Sequence, residues 1–106
     1  MKIELVNDQN YGMLVEWWKG YSWPSVPYNM LPKTGIIVND TVAGFIYSTD
    51  SEMCSMEWII GNPSADKKQR KECTIILIDT LCEIAKKMGY KYCFTYTKNK
   101  IGRAHV

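Results

Sequence analysis

The side chains suited to nucleophilic or metal chemistry are few: Cys54, Cys73, Cys82, Cys93 and a single histidine, His105. No C-x-x-C pair occurs, and each cysteine lies in an apolar stretch beside residues such as Met53, Ile75, Leu81 and Phe94. That pattern reads as reduced core cysteine, not as a disulfide framework or a zinc site. A Cys-His or Ser-His mechanism would need His105 to belong to the folded domain. Basic residues gather at Lys67, Lys68, Arg70 and Lys71, interrupted by Gln69 and followed by Glu72. Such a group fits an ordinary solvated helix face as well as a phosphate-binding one.

The chain that must position these residues has 106 residues, a net charge of +2 and 46% hydrophobic residues, the size of one domain. No stretch collects five like charges, so neither a nucleic-acid nor a membrane partner is expected. No apolar run reaches the length of a membrane span, and the alternating start from Met1 to Val6 is unlike a signal peptide, so a cytoplasmic protein is expected. Residues 101–106, Ile-Gly-Arg-Ala-His-Val, are what ATC GGA AGA GCA CAC GTC TGA would encode, a string similar to a sequencing-library adapter. They are expected to be a non-native tail that carries His105, with the natural frame ending near Lys100.

The hydrophobic pattern predicts the elements. Lys2 to Val6 alternates as a short strand, and Asn7 or Asp8 is placed to cap a helix from Gln9 to Tyr21, with Tyr11, Leu14, Val15, Trp18 and Tyr21 at helical spacing. Three prolines make Ser22 to Pro32 an apolar loop, with one helical turn at Tyr28 to Leu31. Strands from Gly35 to Val38 and Thr41 to Ser48 flank the turn pair Asn39-Asp40 as a hairpin. A third strand runs from Met53 to Ile60, with Cys54, Met56, Trp58 and Ile60 on one face and Glu57 on the other. Asn62 or Ser64 then caps a long helix to Met88, whose buried stripe is Cys73, Ile76, Leu77, Leu81, Ile84, Ala85 and Met88, and Gly89 stops it. Tyr90 to Thr97 makes a last strand. The order β-α-loop-β-β-β-α-β is α/β (α+β) with a mixed sheet, and its last three elements form a βαβ unit with parallel strands and a right-handed crossover.

This order, with Glu57 to Pro63, the helix ending Ala85-Lys-Lys-Met-Gly-Tyr90 and the strand leading to Thr97 and Asn99, resembles the GNAT family of N-acetyltransferases. Small phage-associated members are similar in a Trp-Trp pair, a proline-rich loop and a Thr-Gly strand entry, here Trp17, Trp18, Trp23, Pro24, Pro27, Leu31, Pro32, Thr34 and Gly35. The family's final helix and last two strands would follow Asn99, so residues 1–100 resemble a C-terminally truncated, partial GNAT-like domain.

The resemblance implies acetyl-CoA as cofactor, entering where the strand before the long helix splays from its parallel neighbour, and acetyl transfer to a small-molecule or protein amine by direct attack. It implies a pyrophosphate cradle at Lys68, Gln69, Arg70, Lys71, Glu72, Cys73 and Thr74, where Glu72 and Thr74 replace the family's two glycines; a cradle nearer Ala65 to Gln69 is the alternative. Backbone N–H groups near Ile59 and Ile60 would polarise the thioester carbonyl, and Asn99 would contact the cofactor. Glu57 would take the acceptor's proton. Trp23 and Tyr28 would wall the acceptor side, although Trp17, Trp18 and Trp23 also suit simple packing over the sheet. In many relatives the general acid is a tyrosine on the missing final helix. The competing expectation is a non-catalytic GNAT-like binding or interaction module with a degenerate CoA site. A ferredoxin-like nucleic-acid binder would need basic residues among the aromatics of Tyr90 to Tyr96, which the nearly balanced charge argues against.

Overall fold

The computed structural model describes residues 1–96 and 101–105. Strand β1 (Ile3–Leu5) leads into helix α1 (Tyr11–Gly20), a loop with a single 3-10 turn (Tyr28–Met30), strands β2 (Thr34–Val38), β3 (Val42–Tyr47) and β4 (Met53–Gly61), helix α2 (Lys67–Lys87) and strands β5 (Tyr92–Tyr96) and β6 (Ile101–His105). The strands form one mixed sheet whose spatial order is the chain order, β1 to β6. All neighbours are antiparallel except β4 and β5, which α2 joins as a parallel pair. The fold is α+β.

Local chemistry explains the turns and caps. Asn39 and Asp40 both take positive φ, at 52° and 51°, a mirror-image turn closed by the Thr41 N–H on the Val38 carbonyl at 2.9 Å, within a three-residue connection between the paired Val38 and Val42. The long helix is capped by Asp66, not by Asn62 or Ser64: the Asp66 carboxylate accepts from the Gln69 N–H at 3.3 Å. Asn62 instead turns the loop, its Oδ1 accepting from the Ser64 N–H at 2.9 Å. Asn7 acts similarly ahead of α1, its Oδ1 accepting from the N–H groups of Gln9 and Asn10.

Alternation in β2 splits the core in two. Ile36 and Val38 point to α2 and join Val42, Ile46, Cys54, Met56, Cys73, Leu77, Leu81, Ala85 and Cys93. Ile37 points the other way, to α1 and its loop, with Leu14, Trp17, Trp18, Val26, Leu31, Ala43, Phe45 and Ile60. All four cysteines are free, and burial pushes the Cys93 thiol up to about 12 and raises Cys54 and Cys82 as well. The backbone of Ile101–His105, expected to be a tail, lies along β5, with Phe94 opposite Arg103 and Tyr92 opposite His105. β5 is therefore not an open edge. Among the described residues no helix is long and apolar enough to cross a membrane.

Candidate functional site

β4 changes character halfway along. From Met53 to Met56 it pairs on one side with β3 and on the other with β5, ending at Met56 opposite Thr95. Beyond that point the described pairing continues only with β3, and its register slips: Glu57 faces Phe45 and Ile60 faces Ala43, so Gly44 alone stands against Trp58 and Ile59. This is a β-bulge, and Trp58 adopts the left-handed φ of 55° that absorbs the extra residue. Gly44 permits the crowding, since a Cβ there would meet Leu77, Leu81 and Ile59 at 3.2 to 3.3 Å.

The bulge overturns the expected face assignment. Cys54 and Met56 lie in the core beneath α2, but Ile60 lies in the core beneath α1, because one inserted residue inverts the period of two. Trp58 packs in neither core. The residue is 41% exposed, and its Nε1–H donates to the Tyr47 hydroxyl at 2.8 Å, which in turn donates to the Met30 carbonyl at 2.9 Å. Glu57 keeps the predicted opposite face: as the partner of Phe45 it lies half-buried on the α1 side.

Beside the bulge is an open cavity of about 300 Å³ lined by Trp18, Trp23, Pro24, Val26, Trp58, Ile59 and Ile60, with no charged residue among them. Its wall is braced from behind. The Tyr11 hydroxyl donates to the Val26 carbonyl at 2.6 Å, and Tyr21 stacks on Trp23 with ring centroids 4.4 Å apart. Trp17 and Trp18 are buried, as packing over the sheet requires, whereas Trp23 is 54% exposed. Tyr28 does not join Trp23. It lines a separate cavity of about 430 Å³ with Val6, Asn29, Leu31, Pro32, Lys33 and Phe45.

Beyond the bulge the chain turns through Asn62 to Ala65 into α2. Because the helix begins at Lys67, residues 71–74 already sit inside it, with their N–H groups in the i→i−4 ladder. The Arg70 N–H bonds the Asp66 carbonyl at 2.9 Å, which leaves Lys67 and Lys68 with the free first-turn donors. Glu72 and Thr74 therefore offer no backbone cradle, and Cys73 is buried in the core. The Thr74 hydroxyl donates to the Arg70 carbonyl at 2.7 Å. In the alternative cradle nearer Ala65 to Gln69, the N–H groups of Ala65 and Gln69 are taken by the Asn62 carbonyl and the Asp66 carboxylate, and those of Lys67 and Lys68 remain.

Arg70 is turned inward. Its Nη1 donates to the Tyr21 hydroxyl at 3.2 Å, and that hydroxyl donates to the Gly61 carbonyl at 2.9 Å. The stem crosses Gly61, where a Cβ would sit 3.1 Å from Arg70 Cδ, and Nε is buried without a partner among the described residues. Arg70 thus links α2, the end of α1 and the end of β4, a role the sequence conceals. Lys68, Gln69 and Lys71 are exposed. Asn99 lies outside the described residues. Among the described residues no group of three or more His, Cys, Asp or Glu could hold a metal. No protein-family model matches this chain, and no curated protein matches it either.

Proposed function

We propose that this chain is a GNAT-like domain that binds acetyl-CoA and transfers the acetyl group to an amine. One observation carries the reading: the bulge at Trp58, just past the last β4 residue that pairs with β5 among the described residues, leads to an aromatic cavity and the start of α2. A strand kinked by a bulge beside a cavity offers backbone groups and space to an extended ligand at one place.

In this reading acetyl-CoA supplies the activated carbonyl carbon. The backbone N–H of Ile59 stabilises charge on its oxygen, that of Ile60 being turned to β3 as the partner of Ala43. Glu57 accepts the proton released as the acceptor nitrogen bonds to that carbon, the C–S bond breaks, and the leaving thiolate takes a proton from water. Lys67 and Lys68, with free first-turn N–H groups, receive the pyrophosphate, and Lys71 adds charge one turn on.

A second reading, a non-catalytic binding module, is favoured by the cap of α2. The Asp66 carboxylate already holds the Gln69 N–H and places a negative charge where a phosphate would sit. Calorimetric titration with acetyl-CoA, followed by thiol release across a panel of amines, separates the readings. Micromolar binding with amine-dependent thiol release supports the transferase. Binding without release supports a silent CoA-binding module, and no binding to about 1 mM would overturn the transferase and leave the non-catalytic binding or interaction module with a degenerate CoA site.

A further inference from the structure

We propose that β1 is a self-complementary edge through which two copies of this chain pair, strand to strand, about a two-fold axis at Ile3. The inference is independent of the CoA reading. β1 ends the sheet, and its outer side has no neighbouring strand among the described residues.

The backbone fixes which groups are free. In an antiparallel ladder, successive residues direct both backbone groups alternately to one neighbour and the other. Asn39 N–H donates to the Lys2 carbonyl at 2.6 Å, and Val6 N–H to the Gly35 carbonyl at 2.9 Å. Lys2, Glu4 and Val6 therefore face β2, while Ile3 and Leu5 direct their N–H and C=O groups outward. The Leu5 carbonyl is occupied by the Asn10 side-chain amide at 2.9 Å, which leaves the Leu5 N–H and both Ile3 groups for a partner.

Side chains then select the register. A two-fold pairing centred on Lys2 or Glu4 would set like charges directly opposite each other. Centred on Ile3, it sets Lys2 of each copy against Glu4 of the other, Ile3 against Ile3, and Leu5 against Met1. The two Ile3 residues exchange both backbone bonds, and each Leu5 N–H reaches the facing Met1 carbonyl.

The apolar side matches. Ile3 and Leu5 stand opposite Val38 and Ile36, on the α2 face, yet Met1, Ile3 and Leu5 are 72%, 45% and 62% exposed. Pairing would gather both sets into one strip that continues the α2-side core across the axis. The charges lie on the other face, where Lys2 is shared within the chain by Glu4 at 3.6 Å and Asp40 at 3.5 Å. No proline or inward charge blocks this edge, and its charges are of opposite sign and complementary across the axis.

The interface is small, so the association belongs in the micromolar to millimolar range. Sedimentation equilibrium up to about 1 mM chain, with far-UV circular dichroism to confirm folding, tests the proposal. Wild type is expected to dimerise. K2E and E4K are each expected to weaken the dimer roughly tenfold or more. An equimolar mixture of the two variants should recover it, because every facing pair becomes opposite in sign, and K2E/E4K in one chain should recover it too. Ile3→Pro removes only an outward N–H, so it should abolish the dimer while leaving the β1–β2 ladder intact. A wild-type chain that stays monomeric at about 1 mM would overturn the proposal. So would a dimer indifferent to K2E, E4K and Ile3→Pro.

Discussion

The two faces of the sheet are built from different chemistry. Beneath α2 the core is aliphatic and thiol, regular and closed, and it holds the fully buried Leu77, Leu81, Cys54 and Cys93. Beneath α1 the core is aromatic, its cover is an irregular loop pinned by tyrosine hydroxyls, and both described cavities touch that loop. One face is closed, and the other keeps open cavities. β4 serves both, first one and then the other, because Trp58 inverts its alternation.

Substitutions sharpen that contrast. Leu77→Ala, in the closed face, should lower the unfolding free energy in urea by about 2 to 5 kcal/mol. A loss well under 1 kcal/mol would mean that the α2 face is no tighter than the other. Next comes Gly35→Ala on the aromatic side, where the added methyl would overlap the Phe45 ring. A cost of about 1 to 3 kcal/mol is expected, read from the same titration. Trp58→Gly should be nearly neutral, within about 1 kcal/mol, because glycine accepts the positive φ and this gain offsets the lost bond to Tyr47. The same variant should weaken any ligand of the 300 Å³ cavity, followed by quenching of the remaining tryptophans. A large stability loss would make Trp58 a core residue and erase the division of labour.

The smallest effect near neutrality concerns Cys93. Its thiol ionises near 9.0 when unfolded but only at about 12 in the fold, chiefly because burial disfavours the thiolate, with Cys54 hydrogen bonding and repulsion adding to it. Stability is therefore independent of this group below pH 9. It falls as pH rises from 9.0 towards 12, where the unfolded chain has lost the proton and the folded chain still holds it. Thermal melts across that range measure the slope, which Cys93→Ala should reduce but not abolish, because Cys54 and Cys82 are raised as well.

The order of elements through β5 was legible because it rests on strong periodicity and on turn chemistry such as Asn39-Asp40. The features that shape the candidate site were not. Cys54, Met56, Trp58 and Ile60 alternate without a flaw, and nothing in a tryptophan announces a left-handed φ, which tertiary packing of Leu77 and Leu81 against Gly44 accommodates. Arg70 reads as one of four surface cations until the missing side chain of Gly61 and the hydroxyl of Tyr21 draw it inward. Asp66 prevailed over Asn62 and Ser64 as the cap because Asn62 had already committed its side chain to the preceding turn.

A sheet whose spatial order repeats its chain order also has a simple assembly history available to it. Every strand pairs with the one before it in the chain, across tight connections from β2 to β4 and across a helix from β1 to β2 and from β4 to β5. β2, β3 and β4 can zip by short local closures, which are fast. The parallel seam between β4 and β5 requires the whole of α2 to be laid down first, as pairing of β1 with β2 requires α1 and its loop. Docking of that helix onto the β2–β4 meander is therefore the step that should set the folding rate, and helix-interior substitutions such as Leu77→Ala should slow refolding, not only hasten unfolding.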